Sequence, residues 1–283
     1  MTDLTTRSEH ACFGGRLGFY AHASMATGTE MRFAVFTPPR ALAGERVPAL
    51  YYLAGLTCTD ETFVIKAGAQ RLAAELGLML VACDTSPRGL NIPGDSEAWD
   101  FGVGAGFYLD ATQAPWAPHY RMGSYVNQEL PALVESQFPA RTDRRGIFGH
   151  SMGGHGALVT ALRDPARWHS VSAFAPICNP VAVPWGQKAF GRYLGEDDRA
   201  SWDAYDASLL MRQRPHPREV LVDQGTSDSF LDSQLHPHAL EAAAKASGQA
   251  LRLRRHEGYD HSYWFIQSFV ADHLQHHARQ LVD

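Results

Sequence analysis

The chain has 283 residues, 45% of them apolar and 19% charged, a balance that builds a folded globule of one large or two small domains and excludes a disordered or collagen-like chain. With 25 Lys and Arg against 30 Asp and Glu, a net charge of −5 and no basic run, it offers no track for phosphates, and nucleic acid is excluded as a partner. Apolar stretches such as 48–56 fall far short of the roughly 20 residues that cross a bilayer, and residues 1–10 are polar with no apolar signal core, so the expectation is a cytoplasmic protein with no membrane partner.

In chain order, residues 13–36 alternate Gly, aromatic and small residues around Thr27-Gly28-Thr29, which predicts antiparallel strands joined by turns. Short apolar runs follow at 48–54, 78–83, 145–149, 171–175, 219–222 and 251–254, several with little polar alternation, as in strands buried on both faces of a parallel sheet. Helical spacing occupies 60–76, 122–138, 152–162, 231–247 and 262–281. Strand alternating with helix predicts an α/β fold: a mostly parallel central sheet with antiparallel N-terminal strands and helices on both faces. No repeat or low-complexity linker interrupts it, so residues 1–283 are expected to form a single domain. Segment 85–119, rich in Gly, Pro and aromatics (Trp99, Phe101, Phe107, Tyr108, Trp116), is either a pocket wall or a packed surface excursion.

Between the run at 145–149 and the helix at 152–162 stands Gly149-His150-Ser151-Met152-Gly153, a G-x-S-x-G at a strand-to-helix junction. A turn that sharp strains the serine backbone, and a Cβ at either flanking glycine would clash. The helix N-terminus behind Ser151 favours developing negative charge. Ser151 is therefore the candidate nucleophile, and it needs a base within reach and a carboxylate to orient that base. His261, in Gly258-Tyr259-Asp260-His261 after the final predicted strand, lies on a loop at a strand's C-terminal end and is the candidate base. Asp228, on the loop beyond 219–222, is the chosen acid, with Asp223 at the strand end and Asp260 in the turn as alternatives.

The oxyanion requires two donors: the N–H of Met152 and one from the loop after 48–54, where Gly55 allows the Leu56 N–H to turn toward the site. Cys58, two residues on, is either a rival nucleophile or, lacking the elbow, a thiol in the pocket wall. The four cysteines, Cys12, Cys58, Cys83 and Cys178, are widely spaced and read as reduced thiols. Among 14 histidines, His236-Pro237-His238 and His276-His277 have poor ligand geometry and read as solvated helix ends, so no metal site is expected.

Several segments together resemble the S-formylglutathione hydrolase (esterase D) family of the α/β-hydrolase superfamily. They include Gly55-Leu56-Thr57-Cys58-Thr59, Asp84-Thr85-Ser86-Pro87-Arg88-Gly89, the stretches 99–108 and 148–157, Ala175-Pro176-Ile177-Cys178-Asn179-Pro180, Pro184-Trp185-Gly186 and Gly258-Tyr259-Asp260-His261-Ser262-Tyr263. The resemblance implies an α/β-hydrolase fold, a triad at Ser151, Asp228 and His261, oxyanion donors at Leu56 and Met152, and no cofactor. It also implies cytosolic hydrolysis of the small molecule S-formylglutathione to glutathione and formate in formaldehyde removal, commonly by a homodimer. Trp185 and the loop aromatics would narrow the acyl pocket. Arg88 or Lys188 would hold the anionic glutathione moiety, unless they are simply solvated. Gly123 departs from the family pattern, which generally has an aromatic there. A general carboxylesterase and an acyltransferase on the same fold are the alternative activities.

Overall fold

The computed structural model describes residues 4–282. Among them nine strands form one sheet in the order β1-β2-β3-β5-β4-β6-β7-β8-β9. These are β1 (Leu4–Cys12), β2 (Gly15–Ala23), β3 (Glu30–Thr37), β4 (Val47–Leu53), β5 (Met79–Cys83), β6 (Ala140–His150), β7 (Ser170–Phe174), β8 (Val220–Gly225) and β9 (Leu251–His256). β1, β2 and β3 pair antiparallel and join the rest through an antiparallel β3–β5 ladder, whereas β5, β4, β6, β7, β8 and β9 run parallel. Every residue of β4, β5, β7 and β8 is buried, so both faces of the parallel part are covered. The helices Met152–Arg163 and Tyr263–Leu281 both pack on β6 and β7.

Register places the site. Leu53 of β4 pairs with Gly149 of β6, His150 with Phe174 of β7, and Phe174 with Asp223 of β8. Leu53, Gly149 and His150 stand at or next to their strand ends, so the loops leaving β4, β6, β7 and β8 emerge on one rim. Ligands bind at that carboxyl edge in open α/β sheets.

Several elements differ from expectation, each for a physical reason. β1 was not predicted because it is an edge strand of mainly exposed polar residues with no apolar run. The expected helix at 60–76 is two, Asp60–Lys66 and Gln70–Leu76, separated at Gly68 with φ +67°. The one at 122–138 contains a π-helical turn at Tyr125–Glu129, next to Pro131, which has no N–H to donate. Between 231 and 247 the regular helix begins only at Pro237, after a π turn and His236 at φ 48°. The helices Pro184–Leu194, Arg199–Asp203 and Ala207–Gln213 had no counterpart in the sequence reading. Pro184-Trp185-Gly186 looks like a loop locally, yet proline suits the first turn of a helix.

His276 and His277 are not solvated helix ends: both are buried on the inner side of the C-terminal helix. His277 bonds the Ser170 hydroxyl at 2.6 Å and the Ser172 hydroxyl at 2.8 Å, Ser172 in turn bonds His273 Nδ1 at 2.8 Å, and His273 Nε2 lies 3.2 Å from Asp223. This buried serine–histidine–aspartate chain has no opening to solvent. Burial holds the His277 ring neutral and pushes the His276 pKa down to about 4. Its role is to satisfy polar groups between helix and sheet.

Candidate active site

β6 delivers Ser151 into a backbone conformation of φ 58° and ψ −120°. Such a conformation costs on the order of 1–3 kcal/mol for a residue with a Cβ. The surroundings hold it: the Ser151 N–H donates to Phe174 O at 3.0 Å, and Ser151 O accepts from Ile177 N–H at 3.3 Å. The flanking glycines are required by space. A Cβ on Gly149 would sit 2.3 Å from Gly153 O, and one on Gly153 would sit 1.9 Å from Leu53 O. The Ser151 hydroxyl does not cap the helix it precedes, so its oxygen is free for other chemistry.

The loop after β8 carries Asp228 to His261: Asp228 Oδ2 lies 2.5 Å from His261 Nδ1. Gln224 Nε2 donates to the same oxygen at 3.2 Å, and the Phe230 N–H donates to Oδ1 at 2.9 Å, so the buried carboxylate is fixed on both oxygens. The His261 ring is packed between Phe230 and His150, with centroids 5.1 and 4.4 Å away. His261 and Ser151 both line one cavity of about 240 Å³, walled also by Leu56, Cys58, Trp99 and Trp185. Neither alternative acid is at His261. Asp223 is fully buried, held by Arg254 through two bonds of 2.7 and 2.6 Å, and Asp260 accepts from the Ser262 N–H and hydroxyl in its own turn.

The loop after β4 passes directly over the nucleophile, where a Cβ on Gly55 would lie 3.2 Å from Ser151 Cβ. Thr57 N–H donates to Gly104 O and Cys58 N–H to Gly55 O, while the Leu56 and Met152 N–H groups have no acceptor among the described residues. Two unspent donors beside a serine can receive an oxyanion. Tyr108 secures this loop from below by donating to Ala54 O at 2.8 Å. Of the five aromatics singled out in 85–119, only Trp99 reaches the cavity, and it meets Trp185 edge-to-face at 5.5 Å. Phe101, Phe107, Tyr108 and Trp116 are buried in a packed excursion.

The expected anion anchors are spent elsewhere. Arg88 grips Asp84 through bonds of 2.7 and 2.8 Å, and Lys188 pairs with Asp100 at 2.5 Å; neither lines the cavity. Gly123 stands away from the site, beside a polar groove of about 520 Å³, with Asp110 so close that a Cβ would approach its carboxylate to 3.1 Å. His150, Phe230 and Tyr263 in the cavity wall were missed by sequence reasoning. The available signal was adjacency, since His150 precedes the nucleophile and Tyr263 follows the base by two residues. Among the described residues no group of three His, Cys, Asp or Glu side chains is arranged to hold a metal ion, and no helix is long and apolar enough to cross a membrane.

Residues 24–276 match the family described as "Putative esterase". An S-formylglutathione hydrolase of Paracoccus denitrificans (strain Pd 1222) is 54% identical over 276 residues, covering 98% of each chain, and one of Mus musculus is 51% identical over 276 residues, covering 97% of each. A solved S-formylglutathione hydrolase structure from Agrobacterium tumefaciens superposes with a TM-score of 0.95 at 48% identity, over 98% of this chain and 99% of that one. The chain belongs to the S-formylglutathione hydrolase family of esterases. It has that family's α/β-hydrolase fold and is a hydrolase.

In this family member the thiol of Cys58 lies in the cavity wall, with no strand-turn-helix elbow of its own. Burial pushes its pKa up, against weaker opposing effects of the Thr62 hydroxyl and Lys66. Alkylation by a bulky maleimide is expected to inhibit, faster as pH rises, because added bulk fills a small cavity. Cys58→Ala is expected to turn over substrate and to resist the reagent. An inactive but folded Cys58→Ala would assign the thiol a chemical role, and an active variant still inhibited would move the sensitive thiol to Cys12, Cys83 or Cys178.

Proposed function

We propose that the enzyme cleaves S-formylglutathione to glutathione and formate through an acyl-enzyme on Ser151. His261 removes the hydroxyl proton as the oxygen attacks the formyl carbon, and Asp228 holds the imidazole and stabilises the imidazolium that forms. The carbonyl oxygen, now negative, takes hydrogen bonds from the Leu56 and Met152 N–H groups. The C–S bond breaks, and glutathione leaves with the proton from His261. Water, deprotonated by His261, then attacks the formyl-serine, and the collapse of the second tetrahedral intermediate releases formate and restores Ser151. The observation that carries this reading is His261, paired with Asp228 at 2.5 Å, lining one small cavity together with the strained Ser151. The names of the related enzymes support the substrate.

A formyl carbon bears only hydrogen, which suits a cavity narrowed by Trp99 and Trp185. One added methyl group in a tight pocket changes specificity about 10- to 200-fold. The test is kcat/KM on S-formylglutathione against S-acetylglutathione, with a formyl preference of at least about tenfold expected. Equal rates, or faster cleavage of simple aryl esters, would make the protein a general carboxylesterase. Products that require a second acyl acceptor would make it an acyltransferase. In this reading residues 1–283 act as one cytoplasmic domain in formaldehyde removal, assembled as a homodimer, and light scattering in solution tests the assembly.

A further inference from the structure

The cavity wall carries no lysine or arginine, yet glutathione brings two carboxylates and one ammonium, and the protein itself has a net charge of −5. An anionic thioester approaching such a surface needs a local cation. Cations on elements that meet the cavity wall are committed: Arg88, which also bonds Cys58 O, to Asp84; Lys188, three residues after Trp185, to Asp100; and Arg7 to Asp60 at 3.4 Å and Glu61 at 3.7 Å on the helix after Cys58. Lys66 differs. It ends the helix Asp60–Lys66, which begins two residues after Cys58, and its Nζ lies 5.7 Å from the ring centroid of Tyr263, a residue of the cavity wall. The side chain is exposed, and among the described residues no carboxylate lies within ion-pairing distance of it.

We infer that Lys66 is the specificity-determining cation of the site, standing at the rim above Tyr263 and receiving a carboxylate of the glutathione moiety while the formyl group enters the cavity. The inference rests on the glutathione reading above and names the residue that recognises its charge. The scale is compatible: a peptide residue spans about 3.5 Å, so the glycyl carboxylate extends about two residue lengths, roughly 7 Å, beyond the cysteinyl sulfur, and the Lys66 Nζ stands 5.7 Å from the ring of the wall residue Tyr263. A cation at an exposed rim acts on capture and salt dependence more than on the chemical step. Lys66 also sits in the last turn of its helix, where positive charge favours the helix dipole. A purely structural lysine would therefore affect all substrates alike.

The experiment compares wild type with Lys66→Gln, Lys66→Glu and Lys66→Arg on S-formylglutathione and on the formyl thioester of 2-mercaptoethanol, which is uncharged. In Lys66→Gln, KM for S-formylglutathione should rise about two- to fivefold, the range that an exposed ion pair commands, with kcat held. Lys66→Glu should raise it further and Lys66→Arg should restore it, so the ratio of kcat/KM between the two substrates tracks the charge at 66. Added salt should erode the wild-type preference for the anionic substrate and leave that of Lys66→Gln nearly flat. Equal losses on both thioesters, or an unaltered ratio in Lys66→Glu, would overturn the inference. A wild type that leaves S-formylglutathione uncleaved would overturn the substrate reading and the inference with it, and that failure shows before any substitution is made.

Discussion

Ser151→Ala is expected to fold as the wild type does and to lose roughly 10⁴- to 10⁶-fold in kcat, as removal of a triad serine does in other hydrolases. Folding should survive because the hydroxyl caps nothing: the elbow is held by the backbone bonds to Phe174 O and from Ile177 N–H, both of which alanine keeps. Alanine also retains the Cβ, so the strain at φ 58° is unchanged. What disappears is the atom that becomes the acyl ester. The residual rate is whatever positioning and the two free N–H donors supply to attack by water, roughly 10³- to 10⁴-fold over solution. Turnover on S-formylglutathione, circular dichroism and labelling by a fluorophosphonate together read this out. A folded Ala variant that keeps a tenth of wild-type turnover, or still takes the label, would remove Ser151 from the nucleophile role.

Asp228→Asn should cost about 10⁴-fold in kcat with little loss of stability, because an amide disturbs the tautomer and orientation of the imidazole that a carboxylate fixes. The geometry makes this more than a charge effect. Asp228 Oδ2 accepts a hydrogen bond from the Nδ1–H of His261 at 2.5 Å, and an Asn NH₂ turned toward that nitrogen would force the ring proton onto Nε2, the atom needed as base. The contrast is Asp223→Asn. Burial by itself would raise the Asp223 pKa, but His273 and the Arg254 guanidinium hold it well below the usual carboxylate range. Breaking such a buried pair costs about 3–5 kcal/mol of stability. Asp223→Asn should therefore show a lower unfolding midpoint and a near-normal kcat, measured at a temperature where it is folded. The reverse pattern, with Asp228→Asn active and Asp223→Asn dead but folded, would transfer the acid role to β8.

Much of the candidate site is legible in the sequence because its parts are local. Gly149 and Gly153 mark the elbow at single-residue resolution, since the clash that forbids a Cβ there arises from backbone atoms that any such turn brings close. The strands β4, β5, β7 and β8 are buried throughout and stand out as short apolar runs, whereas β9 alternates Leu and Arg and is only partly buried; the loops after β8 and β9 carry Asp228 and His261 to each other. Asp228 differs from Asp223 in lying on the loop past the end of β8, whereas Asp223 lies within the strand.

What only the tertiary structure decided concerns partners that meet across the fold. β1 is invisible in the sequence because an edge strand exposed to solvent needs no apolar alternation; its identity comes from the backbone ladder with β2. His276 and His277 look like a polar helix end, but the final helix turns that face onto β7, where the Ser170 and Ser172 hydroxyls satisfy the His277 ring. Arg88 and Lys188 look like free cations in the sequence, but Asp84 and Asp100 stand beside them, whereas Lys66 meets the ring of Tyr263 and, among the described residues, no carboxylate. Composition and spacing determine which residues can be strand, elbow or loop, because those depend on neighbours along the chain. Which charges remain available to a substrate depends on side chains brought together from distant positions, and the folded chain alone decides it.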